Sequence, residues 1–245
     1  MRCLSASQLI EVWERGVSEH PVDRALTLLM ACCEESLPEL AALSIGRRDA
    51  RLLEAYERLF GTTLEAFAEC PKCGERLEYR LSAGDLAAVP SQAEPSLVLE
   101  TESGRLRLRL PDSFDLRAAS ECASVEAARR MLLDKCVVER EGTPGTPLED
   151  LPEAAVERIA QCLAQADPQA EMLIDLTCCA CRHAWQVLLD IESFLWVKIR
   201  VMAQRLLREV DALARVYGWC ERDILALSSV RRQAYLEMAG ACLTS

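Results

Sequence analysis

The chain has 245 residues, of which 51% are hydrophobic and 27% charged, so it can build a real core and disorder is not the default. Its formal charge of −11 argues against general nucleic-acid binding, which needs a basic surface. No apolar run reaches the ~18 residues of a membrane span, and Glu11, Glu14 and Arg15 interrupt the start where a signal peptide needs unbroken apolar residues. A cytoplasmic protein with no membrane and no nucleic-acid partner is the expectation.

The first third reads as helices. Ser5 or Ser7 can cap a helix carrying Leu9, Ile10, Val12, Trp13 and Val17. Pro21 suits the first turn of a second, with Val22, Ala25, Leu26 and Leu29 on one face. His20 before it reads as a solvated loop residue. Residues 47–60 predict a third helix through Leu52, Leu53, Tyr56, Leu59 and Phe60, with Gly61 as its stop.

The pattern then changes period. Leu64–Glu69 and Arg76–Leu81 alternate as short strands. Leu97–Glu100 and Arg105–Leu110 flank Glu102-Ser103-Gly104, a hairpin signal, and Leu106, Leu108 and Leu110 alternate with arginines. Pro90–Pro95 reads as a connector. Helices are predicted at 113–138 and 152–166, joined by the flexible stretch Glu141–Pro147. Asp167-Pro168 ends the second of these. Met172–Thr177 and Ala184–Asp190 predict strands.

The last third is a long helix. Ile191, Leu195, Ile199, Met202, Leu206, Val210, Leu213 and Tyr217 step by three or four. A helix of that length is a rod of about 40 Å. Gly218 is its terminator. Shorter helices are predicted at 221–227 and 229–241.

Thirteen cysteines without an export signal, and an odd number of them, disfavour a disulfide framework. Two groups stand apart by spacing: Cys70-Pro71-Lys72-Cys73-Gly74, and Cys178-Cys179-Ala180-Cys181. Each lies between predicted strands, which is the setting of a zinc-ribbon knuckle. Two such turns present four thiolates that close a tetrahedron around one ion. Cys70, Cys73, Cys178 and Cys181 are therefore the expected ligands of a structural zinc. Gly74 favours the turn. In the second group Arg182 stands where a glycine is expected, and Cys179 and His183 offer rival ligands. The 104 residues between Cys73 and Cys178 do not exclude the site, because closure entropy grows only logarithmically with loop length. Four thiolates leave no open position for catalysis. The rest of the cysteines read mostly as small buried hydrophobes. A redox Cys-x-x-Cys at Cys70 and Cys73 is the competing reading, although that motif belongs at a helix N-terminus.

Other chemistry is thin. There is no phosphate-binding glycine loop and no nucleophile motif. Glu34-Glu35 and Glu149-Asp150 read as solvated helix ends, and Arg47-Arg48 and Arg231-Arg232 as internal ion pairs or solvated side chains, with a partner's acidic surface as the other reading.

The C-terminal run Tyr217-Gly218-Trp219, Glu221-x-Asp223-Ile224-Leu225-Ala226-Leu227-Ser228, Arg231-Arg232 and Tyr235-Leu236-Glu237 resembles a known family. This is the baseplate hub assembly chaperone family of T-even-like contractile-tail phages and phage-derived contractile injection systems. CPKCGERLEYRL at 70–81 and the strand–knuckle–strand before IESFLW at 191–196 are also similar; residues 85–165 match only loosely. The resemblance departs from the family at the second knuckle. It implies a non-enzymatic factor that binds baseplate hub or spike proteins during assembly of a contractile tail-like machine, and it supplies no catalytic residue. Tyr217, Trp219 and Tyr235 then read as an aromatic plug at the helix corner or, with Arg231 and Arg232, as a partner-binding surface, since Tyr, Trp and Arg are favoured at hot spots. Two other classes stay open: a permanent structural subunit of the baseplate, and a thiol–disulfide oxidoreductase.

The expected architecture is α+β and mainly helical. A helical region (1–61) precedes two zinc-ribbon β-hairpins (62–82 and 172–190), interrupted by an insertion (83–171). A long C-terminal helix with a helical hairpin return (191–245) follows.

Overall fold

The computed structural model describes residues 1–87, 97–101, 104–140, 143–144 and 152–243. In chain order the elements are α1 (Ala6–Gly16), α2 (Pro21–Cys32), α3 (Leu37–Ala41), α4 (Ile45–Phe60), β1 (Thr63–Glu69), β2 (Arg76–Ser82), α5 (Ala83–Ala87), β3 (Leu97–Thr101), β4 (Gly104–Leu108), α6 (Ser113–Ala119), α7 (Val125–Cys136), β5 (Val137–Arg140), β6 (Thr143–Pro144), α8 (Glu153–Ala166), a 3-10 turn (Pro168–Ala170), β7 (Leu173–Thr177), β8 (Ala184–Leu188), α9 (Ile191–Tyr217), α10 (Glu221–Leu225) and α11 (Ser229–Leu243). The fold is α+β and mainly helical, with small antiparallel sheets and a long helix near the C-terminus.

The helix starts follow capping chemistry. Ser5 Oγ accepts the Gln8 N–H while the Gln8 side chain accepts the Ser5 N–H, a reciprocal box that opens α1. Pro21 takes the first turn of α2. His20 is not a solvated loop residue: it is half-buried, and its Nδ1 accepts the Val22 N–H as the N-cap. Gly61, at φ +94°, ends α4 in the left-handed region that glycine enters without strain.

Serine capping lies behind two differences from the sequence expectation, the break after α6 and the extra helix α3, and strand pairing behind a third. The helix expected over 113–138 is broken, because Ser120 Oγ donates to the Arg117 carbonyl and Ser124 Oγ caps α7 at the Ala127 N–H. Serines that bond the backbone locally compete with the helix. The last residues of that range instead form β5, which pairs with β4 through Arg107↔Glu139 and Leu108↔Val137. The short helix α3 carries its own capping box between Ser36 and Glu39. The connector Pro90–Pro95 and the turn residues Glu102 and Ser103 lie outside the described residues. So do Glu149, Asp150 and all of Glu141–Pro147 except Thr143–Pro144, which forms β6.

The chain divides into two compact units: residues 1–34 with 192–245, and residues 35–191. In the first, α1 packs on α2 and α10. Trp196 of α9 lies against Gly16, where any side chain would meet its ring. The Arg24 guanidinium sits 4.9 Å over the same ring and pairs with Glu192 at 3.1 Å. Leu195, Ile199, Ala203 and Leu206 form the buried face of α9.

In the second unit, the sheet ordered β3-β4-β5-β6 is backed by helices. Leu106 and Leu108 of β4 pack with Leu133 and Cys136 of α7, Val137 of β5, and Ile159 and Leu163 of α8. Arg109 grips Asp115 with two hydrogen bonds, of 2.6 and 2.9 Å. Burial alone would raise the Asp115 carboxyl, but Arg109 and the Asp112 N–H hold it below its usual value. The remaining elements of this unit, α4, α5, the 3-10 turn and the hairpins β1/β2 and β7/β8, carry the candidate site.

Candidate metal centre

Two hairpins of the same plan end in six-residue turns. In β1/β2 the register runs from Thr63↔Ser82 to Glu69↔Arg76 and leaves Cys70–Glu75 as the turn. In β7/β8 it runs from Leu173↔Leu188 to Thr177↔Ala184 and leaves Cys178–His183. The turns repeat each other bond for bond. Cys70 N–H donates to the Glu75 carbonyl at 2.8 Å, as Cys178 N–H donates to His183 at 2.8 Å. Gly74 N–H donates to the Cys70 carbonyl at 2.9 Å, as Arg182 N–H donates to Cys178 at 3.0 Å. Gly74 has φ +74° and Arg182 has φ +60°. The arginine that replaces the expected glycine thus adopts the glycine conformation, against the left-handed penalty of about 1 kcal/mol for a residue with a Cβ.

That strain makes a prediction. Arg182→Gly is expected to stabilise the protein by about 0.5–1 kcal/mol, and Gly74→Ala to destabilise it by about 1 kcal/mol. Both are read from urea unfolding of the metal-loaded protein. Equal and opposite shifts would establish that the knuckles are conformational equivalents; a destabilised Arg182→Gly would give the arginine side chain a role of its own.

The turns bring four thiols together. Cys70 Sγ lies 3.6 Å from Cys181 Sγ, and Cys73 Sγ lies 3.6 Å from Cys178 Sγ. All four sulfurs lie within 4.8 Å of one another. A disulfide would need about 2.05 Å. A tetrahedron with metal–sulfur bonds of about 2.3 Å has edges of about 3.8 Å, close to the two shortest contacts. Cys70 and Cys178 are buried, Cys181 is half-buried and Cys73 is exposed, so the cluster has one wet side.

Backbone amides serve the sulfurs. The N–H groups of Cys181 and Ala180 bring the Cys178 thiol down to about 7. At Cys73 the Glu75 N–H pulls the same way, but the Cys181 thiol, desolvation and the thiols of Cys178 and Cys70 push it up to about 12. Thiolates this close repel one another, and a dication is what allows all four to ionise together. The rival ligands stand aside. Cys179 is exposed and outside the cluster. His183 gives only its backbone carbonyl to the turn, and its ring stacks on Trp185 with centroids 6.1 Å apart.

The bases of the two hairpins are rooted on α4. The first hairpin follows α4 after Gly61 and is closed at its base by Ala83 N–H donating to the Thr62 carbonyl at 2.8 Å. Its sequel α5 packs on α4. The 3-10 turn before β7 also packs on α4. Gln169 Nε2 from that turn donates to the Leu86 carbonyl of α5 at 3.0 Å. The Asp167 carboxylate, 2% exposed, accepts the Gly46 N–H at 2.8 Å in the first turn of α4. The second hairpin is closed by Leu189 N–H on the Met172 carbonyl at 2.8 Å. Gly46, Asp167 and Gln169 do this positioning, and sequence reasoning missed them. Asp167-Pro168 signalled only a helix end, and nothing local marks Gly46.

The residues singled out near the C-terminus form a packed corner. Tyr217 and Trp219 stack at 4.7 Å, and Trp219 and Tyr235 meet edge-on at 4.8 Å. Tyr217 Oη donates to the Tyr235 carbonyl at 3.3 Å. Gly218, at φ +69°, turns the chain between the first two rings. The three rings are half-buried, which is the plug geometry. Arg232 is 6% exposed, bonded to Glu209 at 2.9 Å and to the Leu227 carbonyl at 2.7 Å, so its charge is used inside the corner. Arg231 is exposed. Arg48 is likewise buried and paired with Asp49 at 2.7 Å, whereas Arg47 is exposed.

No described helix is long and apolar enough to cross a membrane. No protein-family model, no curated protein and no solved structure matches this chain.

Proposed function

We propose that the chain is a zinc-stabilised, non-enzymatic assembly factor, a chaperone for the baseplate hub of a contractile phage tail-like injection system. The observation that carries the non-enzymatic half is the cluster of Cys70, Cys73, Cys178 and Cys181 at the tips of two equivalent hairpins. A tetrahedral all-thiolate zinc is coordinatively closed, so it organises the protein and offers no position to a substrate. Cys70 and Cys73 lie between two strands and face a second thiol pair, which is the setting of a zinc ribbon and not of a redox helix N-terminus. The baseplate half rests on the resemblance of residues 191–237 and 70–81 to the hub chaperone family. The residues of that resemblance build the Tyr217–Trp219–Tyr235 corner at the end of the long rigid helix α9, a support suited to presenting a docking surface. In this reading the corner and exposed Arg231 cover a sticky surface of a hub or spike protein until its proper neighbour arrives.

Tagged protein expressed beside hub and spike subunits is expected to co-purify with one of them and to be missing from finished particles. Trp219→Ala with Tyr235→Ala is expected to weaken capture at least tenfold. Arg231→Glu, on an exposed side chain, is expected to weaken it without lowering the melting temperature. Presence in finished particles at fixed stoichiometry would make the chain a structural subunit instead. Capture unchanged in every variant would remove the corner from the interface.

A further inference from the structure

The formal charge of −11 is not spread evenly. Acidic and basic side chains balance in the unit made of residues 1–34 and 192–245, so the whole excess of carboxylates lies in residues 35–191. Within the balanced unit, α9 runs from Ser193 to Arg208 without a carboxylate while carrying Lys198, Arg200, Arg205 and Arg208. Its buried face is already used, by Leu195, Ile199, Ala203 and Leu206. Its opposite face is not. Val197 is 47% exposed and Val201 57% exposed. With half-buried Phe194 before them and exposed Gln204 and Arg208 after them, they follow one line along the helix at steps of three and four. That is the spacing of a helix-pair seam, apolar over its first half. Of the cations on and beside this line, Lys198 lies 5.6 Å over the Phe194 ring and Arg205 pairs with Glu209, while neither Arg200 nor Arg208 is ion-paired among the described residues.

We propose that this outer face of α9 docks an amphipathic helix of a partner protein, with an apolar seam flanked by carboxylates. The partner lies alongside Phe194–Arg208, a stretch of about 22 Å. Its apolar seam covers Val197 and Val201, and its Asp or Glu side chains meet Arg200 and Arg208. Charge complementarity selects an acidic occupant. The two exposed valines between the cations select a helix with an apolar seam over nucleic acid, whose phosphates bring nothing apolar to that line. The proposal deepens the assembly-factor reading by naming the chemistry of the partner, and depends on that reading only for the partner's setting.

The test uses the full-length, metal-loaded protein and a fluorescent 18-residue designed peptide, with leucines at heptad seam positions and glutamates beside them. Anisotropy is expected to show saturable binding that weakens at least tenfold in Arg200→Glu/Arg208→Glu and in Val197→Ser/Val201→Ser. These substitutions are on exposed side chains, so the melting temperature is expected to stay unchanged. Raising salt from 50 to 500 mM is expected to weaken binding several-fold. Binding no tighter than that of a scrambled peptide overturns the proposal, as does equal affinity in both double variants. Tighter binding of duplex DNA or of phosphatidylglycerol vesicles at the same residues overturns it in favour of those ligands. A dimer of the wild type that both variants abolish overturns it in favour of a second copy. Failure here leaves capture by hub subunits and its loss in Trp219→Ala/Tyr235→Ala standing; failure of that capture leaves peptide binding standing.

Discussion

Chelation of the purified protein is expected to remove one zinc per chain and to melt both cysteine hairpins. The size of the effect follows from how little holds their strands beyond the bases on α4. β1/β2 and β7/β8 are separate two-stranded sheets, and neither gains a third strand among the described residues. Along β2, β7 and β8 exposed and half-buried residues alternate with none fully buried, and β1 buries only Leu64. Isolated hairpins of this kind are marginal in water. A structural zinc contributes on the order of 10 kcal/mol or more, comparable with the 5–15 kcal/mol that holds a typical domain. Hydrogen exchange is expected to show lost protection over 62–82 and 172–190. The inserted sheet should keep its protection, because Leu106, Leu108, Leu133, Ile159 and Leu163 form a core that includes none of the four clustered cysteines. Cys178→Ser, at a fully buried member of the cluster, is expected to abolish stoichiometric metal. Cys179→Ser and His183→Ala are expected to leave it at one per chain, since neither belongs to the cluster. A protein that purifies without metal, and whose unfolding a chelator does not change, would refute the centre.

Much of this arrangement is legible in the sequence, and the boundary between what is and what is not is physical. The helix α9 spans Ile191–Tyr217 as its periodicity predicts, because its stripe is long enough to dominate local effects and Gly218 stops it. The knuckles are legible because thiolate spacing and flanking strands are local patterns. The second is harder to read, since Arg182 hides a left-handed turn under a residue that seldom adopts one. The break between α6 and α7 is set by Ser120 and Ser124, whose local hydrogen bonds outweigh the apolar period around them. β5 is too short to declare itself, and exists because β4 offers it an edge. Its neighbour Cys136 reads as one more small hydrophobe and is one, with burial pushing its thiol up to about 12. Least legible is the seat on α4. Gly46 and Asp167 are partners across 121 positions, and neither carries a motif.

That seat makes the second large prediction. Gly46→Ala and Asp167→Ala are each expected to destabilise the protein by about 2–3 kcal/mol in urea unfolding. At Gly46 a Cβ would fall on the Asp167 carboxylate and lie 2.9 Å from the Ala170 backbone nitrogen. The carboxylate is buried and bonded to Gly46, and the Ala170 nitrogen is backbone, so the 3-10 turn must move to make room. At Asp167 the loss is electrostatic. The Gly46 N–H is one of the donors that α4 leaves unsatisfied at its start, and a buried donor without its acceptor costs about 1–3 kcal/mol. A carboxylate at a helix N-terminus contributes up to about 2 kcal/mol more in such partly buried geometry. Because the two residues act on each other, the double variant is expected to cost less than the sum by at least 1 kcal/mol, as the methyl group then enters the space the carboxylate leaves. The same contact ties the chain entering β7 to the helix that leads into β1. Loosening it is therefore expected to speed zinc transfer to a competing chelator several-fold, with all four cysteines intact. Strict additivity with unchanged transfer rates would show that the metal cluster alone, and not α4, holds the two hairpins in register.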